Sequence, residues 1–301
     1  MNYTDLRGIF LPNTTPFTPE GSISYSDLRQ NLEAWNQKGI RGHVLLGSTG
    51  ERVHLDDSEY LKVIETARAV VPNDLVFIVG AGQQSTIATN REVKHAARAG
   101  ADAVLVITPY FYRTAITQET LLNYYTAVAD EAPVPVLLYS MPPLTGIKIE
   151  AETVARLSEH PNIIGVKDSS NDVAGFRRTV ELCPDDFAVM TGNGTVVLDA
   201  LRAGATGAIL AVGCVVPEVC VEIYRARDEE RAQLLQSKLT PLAAAVTTKY
   251  GIGGLKAALD MAGYRGGSVR EPLRSPDDDA RVEIKSALDQ IALHPQITQI
   301  N

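Results

Sequence analysis

Lys167 is the residue whose type and position point most directly to covalent chemistry. It ends the apolar run 163–166, so its amine is expected in a dry interior rather than in water. Burial disfavours the charged ammonium, and an uncharged amine is a nucleophile toward a carbonyl carbon. Asp168 comes next, but alternation along a strand points its side chain to the opposite face. The alternative interpretation is a lysine at a strand end that extends to solvent.

Tyr139 ends the preceding apolar run, PVLLYS, at residues 135–140. A phenol at that place could pass protons to and from a carbinolamine formed on a neighbouring lysine. The alternative is a packed tyrosine whose hydroxyl finds a local partner.

A turn of small and hydroxylated residues, Gly47-Ser48-Thr49-Gly50, precedes a predicted helix. Its backbone N–H groups and the positive end of a helix dipole can hold a carboxylate. Many turns of this composition only reverse the chain, so the turn alone is a weak signal.

These residues must be positioned by the alternating elements of the chain. Short β-branched runs alternate with segments of helical periodicity, for example 58–71, 117–132, 150–160 and 172–183. The runs are apolar almost throughout, as strands buried on both faces require. We therefore predict an α/β fold, a closed (β/α)8 TIM barrel, with an open doubly wound sheet as the alternative. The eight predicted strands are 8–17, 43–47, 75–80, 103–110, 135–140, 163–168, 187–192 and 207–212.

The last part of the chain has no strand signal and is predicted to form helices. We divide the chain into a barrel, residues 1–225, and a C-terminal helical extension, residues 226–301. Breaks between the C-terminal helices are expected at Pro241, Gly251–Gly254 and Gly263–Gly267.

Composition excludes several classes of function. Lys and Arg number 28 against 36 Asp and Glu, a net charge of −8 that argues against a nucleic-acid or anionic-membrane partner. No uncharged stretch reaches the roughly 18 residues that span a bilayer. The five histidines lack a metal-ligand spacing, and the three cysteines lack a CxxC pair, which suggests no metal and a reducing, cytoplasmic location. The strand-to-helix segment GAGQQS (80–85) lacks the third glycine of a dinucleotide fingerprint, so no nucleotide cofactor is predicted.

Several strand-end motifs together carry a family likeness. They are GSTGE (47–51), TPYF (108–111), YSMPPLTG (139–146), IIGVKDSS (163–170) and TGNG (191–194). In this order and spacing, and over the whole length, the chain resembles the dihydrodipicolinate synthase and N-acetylneuraminate lyase family. The resemblance implies a class I aldolase on a (β/α)8 barrel, usually a homotetramer. It also implies that pyruvate or a 2-oxo acid binds through a lysine imine, without a cofactor.

The resemblance assigns roles residue by residue. Lys167 matches the Schiff-base lysine, Tyr139 the acid–base phenol, and Ser48 the hydroxyl that relays protons to the phenol. Thr49 matches the residue that grips the pyruvate carboxylate. Gly192 and Ile209 fall where the family's backbone carbonyls face the substrate.

Two positions depart from the family pattern. Leu144 stands where dihydrodipicolinate-forming members usually have an arginine for the carboxylate of the semialdehyde, and a leucine cannot make that bidentate contact. Phe111 stands where the family commonly has a tyrosine that a neighbouring subunit contributes to the proton relay. Ser169 is a candidate contact for the second substrate.

The sequences of the motifs YSMPPLTG and HPNIIGVKDSS most resemble those of the 4-hydroxy-2-oxoglutarate aldolase branch. Our first hypothesis is therefore cleavage of 4-hydroxy-2-oxoglutarate to pyruvate and glyoxylate by a homotetramer or homodimer. The alternative is 4-hydroxy-tetrahydrodipicolinate (dihydrodipicolinate) synthase activity, in which pyruvate condenses with aspartate semialdehyde. A third possibility, of another class, is a non-catalytic 2-oxo-acid sensor, which Phe111 favours.

Overall fold

Eight parallel strands close into a barrel in which each strand pairs with its sequence neighbours and β1 pairs with β8. The computed structural model describes residues 3–292. This closed order confirms the predicted (β/α)8 barrel and excludes the open sheet. The strands are β1 Gly8–Pro12, β2 Gly42–Leu45, β3 Val76–Ala81, β4 Ala103–Ile107, β5 Val136–Ser140, β6 Ile163–Asp168, β7 Ala188–Thr191 and β8 Gly207–Ile209.

Helices cover the outside of the barrel, and more helices follow it. They are α1 Tyr25–Trp35, α2 Asp57–Arg68, α3 Thr86–Arg98, α4 Gln118–Glu131, α5 Pro142–Thr145, α6 Ala151–Leu157, α7 Val173–Leu182, α8 Val197–Arg202, α9 Pro217–Arg225, α10 Glu229–Ala244, α11 Gly251–Met261 and α12 Asp278–Ala292. In α4, Leu121, Tyr125 and Val128 form a buried face at the predicted helical spacing. No helix within residues 3–292 is both long and apolar enough to cross a membrane.

The strands are buried on both faces, which explains their nearly uninterrupted apolar runs. One set of side chains, including Phe10, Val44 and Leu137, packs in the barrel interior together with Tyr139. The other set packs against the surrounding helices. Because neighbouring residues of a strand alternate between these two environments, the last residues of each strand decide which groups reach the mouth of the barrel.

Three predicted strands extend at least three residues too far, and β4 is one of them, since it ends at Ile107 rather than at residue 110. β1 ends at Pro12 rather than at residue 17, and β8 ends at Ile209 rather than at residue 212. Gly8–Phe10 pair with Gly207–Ile209, and one more bond joins Leu210 N–H to the Phe10 carbonyl. Beyond this point the chain turns into a 3-10 helix at Ala211–Cys214, so apolarity in that stretch reflects burial and not strand pairing.

The predicted break at Pro241 is wrong, because this residue lies inside α10. A proline removes one helical hydrogen bond, and packing of the buried Leu235, Leu239 and Leu242 keeps the helix intact around it. A π-helical turn, Ala245–Lys249, then joins α10 to α11. The division of the chain at residue 225 stays a prediction.

Candidate active site

Lys167 and Tyr139 are brought together by the register of β5 and β6. Tyr139 is paired directly with Lys167 across the two strands, and the lysine Nζ lies 4.3 Å from the centre of the phenol ring. The lysine is only 4% exposed. Asp168, the next residue of β6, points to the opposite face of the strand and accepts a hydrogen bond from the Ser170 N–H at 2.7 Å. Burial and the phenol ring together hold the Lys167 side chain in a fixed position.

The hydroxyl of Tyr139 is 3.0 Å from the Ser48 Oγ, so phenol and serine are hydrogen-bonded. Burial by itself would raise the pKa of Tyr139. The adjacent Lys167 charge and side-chain hydrogen bonds, including one from Ser48, outweigh it and leave the pKa below its usual value of 10. A phenol shifted in this direction gives up its proton more easily and is suited to move protons near neutral pH.

The Ser48–Gly50 turn is a single 3-10 turn, separated from the end of β2 by Leu46 and Gly47. The first N–H groups of such a turn have no acceptor within it, and they are available to an anion. The Thr15 hydroxyl donates to the Gly50 carbonyl at 2.8 Å, which fixes the other end of the turn. Thr49 is buried at the cavity wall. The turn therefore presents N–H groups and hydroxyls to the cavity that holds the lysine.

Gly192 gives the lysine room. A Cβ placed on Gly192 would collide with the Cε of Lys167 and with the Oγ of Ser169, so no larger residue fits without moving both. The Gly192 N–H donates to the Asp168 carbonyl at 2.6 Å, which ties β7 to the end of β6. Ile209, at the end of β8, is fully buried and lies in the same cavity wall.

A cavity of about 560 Å³ opens at the mouth of the barrel, and we call it the lysine cavity. A second cavity of about 440 Å³, mostly apolar, adjoins it. Ser48, Tyr139 and Leu144 line both. Of the predicted site residues, the lysine cavity collects Lys167, Tyr139, Ser48, Thr49, Gly192, Ile209, Ser169 and Leu144.

Phe111 does not join this group. It lies on the loop after β4, 71% exposed, with its ring edge-on to the equally exposed Tyr112 at 5.1 Å. Its backbone N–H donates to Gln84. Within the described part of the chain, the adjoining apolar cavity is lined by Tyr110 but not by Phe111. Leu144, in contrast, reaches the cavity from α5 although it is 64% exposed.

Some lining residues were not predicted from the sequence. Thr247 and Thr248, from the π-helical turn, and Ile252, from α11, close the lysine cavity opposite the barrel. Asn171 and Asn193 add amide groups from the loops after β6 and β7. Asn193 carried a signal in the TGNG motif, whereas the C-terminal residues reach the site only through folding of the extension.

Comparisons with known proteins agree with this geometry. The model of the dihydrodipicolinate synthetase family matches residues 5–291. The chain belongs to this family. It is 35% identical to the 4-hydroxy-tetrahydrodipicolinate synthase of Methanothrix thermoacetophila, over 95% of this chain and 97% of the relative. Identity to the enzyme of the same name from Syntrophus aciditrophicus is 34%, over 95% and 99% of the two chains.

Solved structures of the dihydrodipicolinate synthetase family share the whole fold. The dihydrodipicolinate synthase of Thermotoga maritima superimposes with a TM-score of 0.90 at 29% identity, covering 95% of this chain and 98% of that one. The synthase of Aquifex aeolicus gives a TM-score of 0.90 at 28% identity, covering 96% and 99%. As a member of this family, the chain is a Schiff-base-forming lyase of the class I aldolase type. The closer likeness to 4-hydroxy-2-oxoglutarate aldolase finds no support among these relatives, whose names match the alternative hypothesis.

Proposed function

We propose that Lys167 forms an imine with the C2 carbonyl of pyruvate and that the resulting enamine carbon adds to an aldehyde. The single observation that carries this proposal is the buried Lys167 amine, 4.3 Å from the ring of Tyr139. Attack by the amine on C2 gives a carbinolamine, which loses water to become the imine. Loss of a C3 proton then gives the enamine, because the positively charged imine nitrogen accepts the electron pair.

Tyr139 and Ser48 handle the protons in this sequence. The phenol donates a proton to the departing hydroxyl of the carbinolamine and recovers one through its hydrogen bond to Ser48. The N–H groups of the Ser48–Gly50 turn bind the substrate carboxylate, which keeps the ketone carbon beside the amine. Gly192 and Ile209 form the rest of the wall around the reacting atoms.

Aspartate semialdehyde is the aldehyde partner that the relatives favour. Three relatives that match this chain over nearly its full length, at 33% to 35% identity, bear the name 4-hydroxy-tetrahydrodipicolinate synthase. Aspartate semialdehyde therefore takes precedence over 4-hydroxy-2-oxoglutarate, which only the resemblance of sequence motifs had suggested. The lysine cavity is large enough for pyruvate and a four-carbon aldehyde together, and hydroxyl and amide groups from Ser169, Asn171 and Thr247 line it.

One observation favours cleavage of 4-hydroxy-2-oxoglutarate as the second candidate. Leu144 lines the lysine cavity with an aliphatic side chain, so the bidentate grip of a guanidinium on a second carboxylate is missing at this point. The products of this reaction would be pyruvate and glyoxylate. The non-catalytic sensor is not proposed, because the lysine, phenol and serine are assembled as a reactive group in a lyase family.

Borohydride trapping tests the imine, and substrate turnover tests the partner. Pyruvate with borohydride is expected to add one reduced pyruvyl group at Lys167, and Lys167→Ala should abolish the adduct. Lys62→Ala, a change on the surface of α2, is the matched control and should leave it intact. An adduct that survives Lys167→Ala would refute the mechanism. Condensation of pyruvate with aspartate semialdehyde, measured against pyruvate release from 4-hydroxy-2-oxoglutarate, then decides between the two partners.

A homo-oligomer, dimer or tetramer, working in the cytoplasm is also proposed. The exposed aromatic rings of Phe111 and Tyr112 form an apolar patch of the kind that protein interfaces cover. Light scattering on the purified protein measures the assembly directly. A mass equal to that of one chain at micromolar concentration would refute it.

A further inference from the structure

A buried ion pair lies directly behind the Ser48–Gly50 turn. Lys256 of α11 places its Nζ 2.6 Å from an Oε1 of Glu51, and both side chains are only 1% exposed. Glu51 is the residue that follows the turn in the chain. The pair therefore joins the C-terminal helices to the segment that faces the substrate.

Glu51 adopts a backbone conformation that a residue with a side chain rarely takes. Its φ of 53° and ψ of 35° place it in the left-handed region, which is unfavourable for a residue with a Cβ atom. Its carboxylate compensates by making contacts from this conformation. One oxygen accepts the Arg270 N–H at 3.1 Å, and the same oxygen lies 3.3 Å from the His54 Nδ1. The left-handed residue ends the 3-10 turn and sets the direction in which the chain leaves it.

Lys256 also holds the other side of the turn. Its ammonium donates to the Thr15 carbonyl at 2.7 Å and to the Ser268 carbonyl at 2.6 Å. The hydroxyl of the same Thr15 donates to the Gly50 carbonyl at 2.8 Å. Lys256 therefore reaches Gly50 through Thr15 and reaches Glu51 directly, so the last residue of the turn and the residue that follows it both depend on one ammonium.

Stability alone is a poor explanation of this arrangement. The desolvation of two buried charges largely cancels their attraction, and apolar residues of similar volume often stabilise a fold equally well. What charged, directional contacts add is geometry, because each of them is satisfied in only one arrangement of the three segments. Burial lowers the pKa of Lys256 and the Glu51 charge opposes this, which fits a cation that needs its partner.

We infer that Glu51 and Lys256 are a positioning pair that fixes the N–H groups of the Ser48–Gly50 turn in the arrangement that binds the substrate carboxylate. Neither residue needs to touch the reacting atoms. The inference rests on the proposed role of this turn in binding a 2-oxo acid. Loss of the pair should therefore weaken binding of pyruvate before it slows the chemistry at Lys167.

Titration of borohydride labelling with pyruvate tests this inference without any aldehyde. For Glu51→Gln and for Lys256→Met, the pyruvate concentration that gives half-maximal labelling of Lys167 is expected to rise about ten-fold or more, which is about 1.4 kcal/mol. The extent of labelling at saturation should be unchanged. Glu59→Gln is the matched control. Glu59 binds the side chain of Arg270, the residue whose backbone N–H binds Glu51, but Glu59 does not contact the turn.

The melting temperature of each variant is measured beside the titration, and labelling is performed well below it. The inference is overturned if Glu51→Gln binds pyruvate within two-fold of the unaltered protein. It is also overturned if Glu59→Gln weakens binding as much, because the effect would then be a general loosening of the segment. Should Glu51→Gln fail to fold, Glu51→Asp is judged by the same two criteria. Absence of labelling in the unaltered protein would instead refute the proposed function itself.

Discussion

Replacing Tyr139 by phenylalanine separates the proton-transfer role of this residue from its packing role. The variant keeps the ring, which lies 4.3 Å from the Lys167 Nζ, and removes only the hydroxyl that meets Ser48 at 3.0 Å. Pyruvate should still reach the lysine. The step that suffers is departure of water from the carbinolamine, because no group of suitable acidity then lies beside the departing hydroxyl.

The expected loss follows from the usual size of general acid–base catalysis. A positioned proton donor contributes about 10²- to 10⁴-fold, so imine formation should slow by that factor, or by about 2.7 to 5.4 kcal/mol in activation free energy. The stability change is smaller. Loss of one buried hydrogen bond costs about 1 kcal/mol, which leaves the barrel folded. The structure therefore predicts a slow enzyme and not an unfolded one.

The assay is the time course of borohydride trapping at saturating pyruvate, together with kcat for turnover of the aldehyde substrate at several pH values. Tyr124→Phe is the matched control, since the Tyr124 hydroxyl is hydrogen-bonded to the buried Thr89 hydroxyl away from the cavity. It should lose a similar amount of stability and keep its rate. Because the pKa of Tyr139 is held below 10, the unaltered protein should show a rate change on the alkaline side that the Tyr139→Phe variant lacks. A variant that traps pyruvate at the normal rate would refute the relay.

Two further predictions concern room for the lysine and stability in acid. Gly192→Ala should abolish trapping at Lys167 while the far-ultraviolet circular dichroism stays unchanged, because the added methyl group would lie 2.6 Å from the lysine Cε and displace it. Normal trapping would contradict this. Burial, aided by the Arg68 charge, lowers the pKa of His43 from 6.5 to about 3, so the unfolded chain binds a proton that the folded chain refuses. The free energy of unfolding should fall as the pH drops from about 6.5 toward 3, by up to about 4 to 5 kcal/mol. In urea unfolding, His43→Gln should reduce this dependence on pH. The same dependence on pH in the variant would contradict the prediction.

The central part of the site could be predicted because it lies at strand ends. Lys167 and Tyr139 each end an apolar run, and the rule that active sites of such barrels lie at the carboxyl ends of the strands brings them to one mouth. Alternation along β6 correctly turned Asp168 away from the lysine. The Ser48–Gly50 turn could be predicted for the same reason, since it comes just after β2. These inferences used only periodicity and order along the chain, which a sequence displays.

The parts that could not be predicted depend on contacts between segments far apart in the chain. Nothing local to Lys256 shows that its ammonium will meet Glu51 and Thr15, since the helix around it is simply apolar and glycine-containing. Phe111 lies exposed on a loop of the single chain, which is where a residue contributed to a neighbouring subunit would lie, so its place in a site stays a prediction.

Residues placed by the strands and residues placed by the C-terminal helices also differ in how they can contribute to substrate specificity. Chemistry at the lysine is fixed by strand register, which tolerates little change, since Tyr139 pairs directly with Lys167. The opposite wall is made by the π-helical turn and by the start of α11, where Thr247 and Ile252 face the cavity. These segments can change without disturbing the strands, but α11 also carries Lys256. If the ion pair has the positioning role proposed above, a substitution that moves α11 should weaken binding of the substrate carboxylate. Changes of aldehyde partner should therefore be confined to side chains at the surface of this wall.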